Sequence, residues 1–94
     1  MDSLKRYMFL EIEGESAWLM GYSLKLSPTE AKIINIIFDN RPVDTDGILA
    51  HLPSKATKKS IPVHINSINK KAIAISGKKL IICSSDKYSF EPNI

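Results

Sequence analysis

Only one cysteine, Cys83, occurs in the 94 residues, so no internal disulfide can form, and neither a CxxC pair nor a Cys/His zinc spacing exists. Long apolar runs are also missing. The longest, such as Tyr7–Leu10, span only a few residues, too short for a membrane helix or the apolar region of a signal peptide. The sequence holds no glycine-rich phosphate loop, no HExxH and no nucleophile elbow, which argues against an enzyme and leaves no cofactor or metal to expect. These absences point to a reduced, cytosolic chain that does not enter a membrane.

What is present is an ordinary globular composition, 44% apolar and 24% charged. At this length the chain makes one domain, residues 1–94, which buries about 60% of the surface its unfolded form exposes. The net charge of +3 hides an asymmetry. Residues 1–47 carry five basic and eight acidic side chains, whereas residues 48–94 carry eight lysines against Asp86 and Glu91. A basic half of this kind suits a polyanion such as nucleic acid.

Patterning predicts an N-terminal antiparallel meander over residues 6–26: a strand at 6–13, a turn at Gly14, a strand at Ala17–Met20 and a third at Tyr22–Leu26. Glu11, Glu13 and Glu15 share one strand parity and are expected on a solvated face. Trp18 is expected to pack the sheet on the helices. A three-helix core over 27–76 follows. Ser27-Pro28-Thr29-Glu30 has the form of a capping box, with proline at the first helical position, and opens a helix to about Asp39. Asp44 reads as the N-cap of a second helix to Leu52, His51 sitting at its C-terminal dipole. Pro53–Ser60 reads as a polar, basic loop. Ser60 then caps a third helix, with Ile61, Ile65, Ile68 and Ala72 on the core side and Val63, Asn66, Ser67 and Lys70 on the opposite side. Gly77 stops it. A hairpin over 79–91 closes the chain, with Cys83 expected as a small core residue of its first strand.

Two short helices before a third with a polar outer side follow helix-turn-helix logic, and a B-DNA major groove about 12 Å wide admits one helix. The hairpin is then a wing. Lys58, Lys59, Lys70, Lys71, Lys78, Lys79 and Lys87 flank these pieces where phosphates would pass.

At this point the sequence resembles the winged-helix output domain of OmpR/PhoB-type response regulators, which are bacterial. Leu26-Ser27-Pro28-Thr29-Glu30-Ala31 matches the opening of that family's first helix. Arg41-Pro42-Val43-Asp44 with Ile48-Leu49 matches the start of its second. Ile61-Pro62-Val63-His64-Ile65-Asn66-Ser67-Ile68-Asn69-Lys70-Lys71 matches the recognition helix, and Tyr88-Ser89-Phe90 the last strand. The likeness covers essentially the whole chain. It implies an α+β winged helix-turn-helix fold and double-stranded DNA binding as a transcriptional regulator. It implies base contacts from Val63, Asn66 and Ser67, which Lys70 on the same side is expected to join. It implies a phosphate contact from Asn69 and places Ser84 where the wing meets the DNA, beside the backbone contacts already expected of Lys58, Lys59, Lys71, Lys78, Lys79 and Lys87. It also implies an RNA polymerase contact through the loop at residues 53–60, and homodimerisation is a further expectation.

The chain departs from the family pattern in its arginines. Ser67 and Asn69 stand where the recognition helix has arginine, Ser84 where the wing has one, and only Arg6 and Arg41 remain elsewhere. Arginine forks make the commonest guanine contact, so phosphate-dominated affinity with weak or A·T-leaning sequence choice is expected. Asn66 could pair with adenine and Val63 touch a thymine methyl. The alternative is a winged-helix module that has lost base readout and binds protein, or dimerises through its meander or third helix. His64 is read as a packing or hydrogen-bonding residue.

Overall fold

The computed structural model describes residues 4–52 and 56–93. The chain begins with four antiparallel strands in sequence order: β1 (Lys5–Tyr7), β2 (Leu10–Glu13), β3 (Ser16–Leu19) and β4 (Tyr22–Ser23). The single strand expected at residues 6–13 is a hairpin: Met8, at φ 52°, turns the chain with Phe9 so that Tyr7 pairs with Leu10. An unbroken apolar run conceals such a turn. Leu10, Ile12, Ala17 and Leu19 face the core, which places Glu11 and Glu13 on the outer face, as parity requires. Trp18 lies there too, paired with Glu11 and Ser23, rather than between sheet and helices.

α1 (Pro28–Asn40) starts at the expected capping box. The Glu30 backbone N–H donates to Ser27 Oγ at 3.2 Å, and the Ser27 N–H donates to the Glu30 carboxylate at 2.8 Å. Ala31, Ile33, Ile34, Ile36 and Ile37 form its buried face. Extended backbone at Arg41, before Pro42, ends it. The Arg41 guanidinium then lies 4.8 Å from the Tyr7 and Phe38 ring centroids and 5.8 Å from that of Phe90, joining three parts of the chain.

Val43–Asp44 is a short strand, β5, where only a link was expected. Asp44 caps α2 (Thr45–His51), its carboxylate accepting from the Gly47 N–H at 2.7 Å. Glycine is required at 47, because a Cβ there would stand 2.6 Å from Val43 Cγ2.

α3 (Ser60–Ser76) buries Ile61, Ile65, Ile68 and Ala72 and ends at Gly77, left-handed at φ 77°. Its start differs from expectation: Ser60 is the first helical residue, not the cap. Ser60 Oγ donates to the Thr57 carbonyl at 2.8 Å and accepts from the Thr57 N–H at 3.1 Å, so a local turn replaces the side-chain cap. β6 (Ile81–Ser84) and β7 (Lys87–Phe90) form the closing hairpin, and β5 adds to β7, giving a second sheet in the order β5-β7-β6. Leu10, Leu19, Ile33, Ile37, Ile48, Ile61, Ile68, Leu80 and Phe90 are fully buried in one core shared by both sheets and all three helices. Among the described residues, no helix is long and apolar enough to cross a membrane.

Candidate nucleic-acid interface

Helical periodicity divides the polar residues of α3 into two groups. Val63, Asn66, Lys70 and Ile73 recur every three or four positions and are exposed, with Val63 at 66% and Ile73 at 43%, and Pro62 is exposed beside them. Among the described residues, the side chains of this row make no hydrogen bond within the protein. Val63, Asn66 and Lys70 are therefore displayed as the sequence predicts.

Ser67, Asn69 and Lys71 are not. Asn69 is buried, 6% exposed, against the wing. Its Nδ2 donates to the Ile81 carbonyl at 3.0 Å and its Oδ1 accepts from the Ile81 N–H at 2.8 Å. β6 is the edge of its sheet, so the outward backbone groups of Ile81 need a partner, and this amide supplies both halves of one. The phosphate contact expected of Asn69 is corrected accordingly: the side chain fastens the wing to α3.

Lys71 is likewise turned inward. Its Nζ stands 2.6 Å from Glu30 Oε1 and donates to the Lys25 carbonyl at 3.0 Å. Burial by itself would raise the Glu30 carboxyl pKa. The hydrogen bonds from Lys71, the Ser27 backbone and the Ser67 hydroxyl, with the Lys71 charge, outweigh burial and lower it from 4.5 to about 2. The half-buried Ser67 and Lys71 thus lie one turn apart on the flank of α3 that meets α1. The Lys71 ammonium, expected at a phosphate, is thus held by Glu30 and the Lys25 carbonyl, while Ser67 is half-buried beside the same carboxylate.

The wing and α3 enclose a cleft of about 400 Å³, lined by Pro62, Asn66, Lys79, Cys83 and Tyr88 among others. Cys83 is exposed there, not in the core. The hairpin runs outward past the core, so Ile81 is buried while Cys83 and Ser84 are in solvent. Lys59, Lys70, Lys78, Lys79 and Lys87 are exposed around α3 and the wing. Lys58 is exposed as well and pairs with Asp46 at 3.0 Å. An exposed pair of this kind contributes at most about 1 kcal/mol and exchanges readily for a phosphate. At the wing's far end, Ser84 and Lys87 form the last ladder pair. Both arginines are engaged elsewhere, Arg41 among its aromatic rings and Arg6 with Glu11 at 2.8 Å.

This arrangement has a solved counterpart: the DNA-binding domain of the response regulator AdeR, in complex with an intercistronic region. It matches with a TM-score of 0.74 over 93% of this chain and 97% of that one, at 24% identity. The fold is a winged helix. No protein-family model matches the sequence, nor does any curated protein.

The fold expected from the sequence is thus borne out: meander, three helices and wing stand in the predicted order, with α2 and α3 as the helix-turn-helix and β6–β7 as the wing. Sequence reasoning missed Ile73, which extends the outer row, and the cleft residues Pro62, Cys83 and Tyr88. Ile73 carries a signal in retrospect, standing seven residues from Asn66 on the polar side. Cys83 carries none, because Leu80–Cys83 is uniformly apolar and shows no alternation. Of the loop at 53–60, expected to meet RNA polymerase, residues 53–55 lie outside the described residues. No group of three or more His, Cys, Asp or Glu able to hold a metal occurs among the described residues.

Proposed function

We propose that this winged helix binds double-stranded DNA as a transcriptional regulator, with α3 in the major groove and the wing along the backbone. The observation that carries the reading is the outer row of α3: exposed, without a hydrogen-bond partner among the described residues, and carrying Lys70 with Lys59, Lys78 and Lys79 around it. Val63 and Asn66 face bases. The lysines, with Lys58 released from Asp46, meet phosphates. Without an arginine on this surface, affinity is set mainly by charge and sequence choice leans to A·T. RNA polymerase contact through residues 53–60, a cytoplasmic location and the lack of enzymatic activity belong to the same reading.

Salt titration against a duplex of random sequence tests it. Release of counterions gives a log–log slope of about −0.9 for each neutralised phosphate, so four or five lysine contacts give roughly −4. Absence of binding to any duplex at 50 mM salt overturns the proposal.

A specific feature favours a second reading, self-association through the meander. Met8, Phe9, Met20 and Tyr22 are large apolar residues left more than half exposed at two adjacent turns, which the Met20 N–H ties together by donating to the Phe9 carbonyl at 2.9 Å. The flanking Arg6 and Glu11 give the patch one charge of each sign, so it complements a second copy of itself. A salt-insensitive dimer in sedimentation, with no affinity for DNA, supports this reading over the first.

A further inference from the structure

The wing is fastened to α3 at a single polar point. The Glu91 N–H donates to the Leu80 carbonyl at 2.8 Å, so the backbone faces β7 at Leu80 and faces α3 at Ile81, one residue on. Asn69 meets both Ile81 groups, Oδ1 accepting from the N–H and Nδ2 donating to the carbonyl, which copies the pairing of a neighbouring strand. Among the described residues, no other side-chain hydrogen bond joins α3 to β6 or β7. β5 holds the wing as well, but from the opposite edge, where Val43 and Asp44 pair with Tyr88 and Lys87. The cleft opens from Asn69, with Pro62 and Asn66 on its α3 side and Lys79 and Cys83 on its wing side. The amide therefore sits where the two pieces proposed to share a duplex converge.

A helix and a hairpin hold one duplex together only if their separation matches the groove and the strand beside it. A wing free to swing loses that freedom on binding, and affinity falls by the cost of ordering it. We infer that Asn69 is a positioning residue for DNA binding: by fixing the width of the cleft, it presents α3 and the wing as one surface before DNA arrives. This rests on the DNA-binding reading and deepens it. Asn69 touches no nucleic acid and acts through Lys79 and the rest of the wing. A cation at position 69 then weakens binding, although charge alone would strengthen it. At 6% exposure the site has no room for an arginine, whose guanidinium would push β6 aside.

The test is a double-mutant cycle on the full chain, read as affinity for a random-sequence duplex at about 50 mM salt. Lys79→Ala is measured in the wild type and in Asn69→Ala. Beside it runs Lys59→Ala, which removes a cation from the start of α3 instead of the wing. Urea denaturation sets conditions in which each variant is folded. Lys79→Ala should weaken the wild type about five-fold and flatten its salt slope by about 0.9, but weaken Asn69→Ala less than about two-fold. Lys59→Ala should have the same effect in both backgrounds, which separates lost positioning from lost folded protein. Asn69→Arg should bind more weakly than the wild type. A variant that does not fold leaves the decision to hydrogen exchange in the wild type, where the Ile81 amide should be protected without DNA and slowed no further by the duplex. Equal Lys79→Ala effects in the two backgrounds, tighter binding by Asn69→Arg, or an Ile81 amide protected only with duplex overturns the inference and leaves DNA binding standing. A wild type that binds no duplex removes both.

Discussion

Two rows of polar side chains on α3 look alike in the sequence and do opposite things. Asn66 and Lys70 point outward and bond to no described residue. Asn69 and Lys71, three and one residues further on respectively, point inward and hold the domain together. A helix turns about 100° per residue, so a shift of one position carries a lysine from the displayed surface to the α1 contact. The difference shows how this winged helix keeps its angles. The wing is set against α3 by the Asn69 amide, and α3 against the start of α1 by the Lys71–Glu30 pair, while the outer row makes no side-chain hydrogen bond to any described residue.

The sharpest way to break this contrast is at Asn69. Asn69→Ala leaves the Ile81 N–H and C=O without their side-chain partner. Each buried unsatisfied group costs about 1–3 kcal/mol, so a loss of about 4 kcal/mol in unfolding free energy is expected, read by urea denaturation. A loss below about 1 kcal/mol would place Asn69 with the outer row instead.

The Lys71–Glu30 pair offers a second handle, through pH. The Glu30 carboxyl titrates at about 2 in the folded protein, against 4.5 ordinarily. A lowered folded value favours folding wherever the unfolded chain would be ionised. The contribution, on the order of 3 kcal/mol, is complete above about pH 5 and lost as pH falls from there towards 2. Unfolding free energy measured from pH 7 down to pH 2 should fall through that window. In Lys71→Met the carboxylate is buried without its cation, so the protein should be weaker at pH 7 and lose less on acidification. A Lys71→Met acid limb identical to the wild type's would remove the pair from the inner row.

Much of this molecule is legible without coordinates, for identifiable reasons. The capping box at Ser27–Glu30, the Asp44 cap and the Gly77 stop are local chemistry, so they read directly. The isoleucine stripe of α3 has a period that only a helix explains. The hidden parts depend on partners distant in the chain. Nothing near Asn69 reveals that an edge strand twelve residues on needs its amide. Lys71 reads as one more cation in a basic half until Glu30, forty-one residues earlier, is placed beside it. The turn at Met8–Phe9 escapes notice because its residues are as apolar as the strands they join. Position within the helix marked the exposed side correctly at Val63, Asn66 and Lys70, whereas the resemblance that set Asn69 at a phosphate and the run of lysines that included Lys71 gave no sign of their inward partners. There the decision between ligand and protein is made by tertiary neighbours.

The outer row supplies the complementary measurement, with the smallest effect. Val63→Ala and Asn66→Ala remove exposed side chains that no described residue bonds, so unfolding free energy should move by less than about 0.5 kcal/mol in either variant. Their effect belongs to the duplex. An asparagine amide set against adenine contributes about 1–3 kcal/mol of discrimination, and a valine against a thymine methyl a smaller apolar term. On a site enriched from random duplexes by the wild-type protein, Asn66→Ala should weaken binding about five-fold or more and flatten the preference at one base pair. Val63→Ala should do so two- to three-fold, and neither should alter the salt slope. Unchanged affinity of both variants for that site would mean that α3 is displayed to something other than base edges.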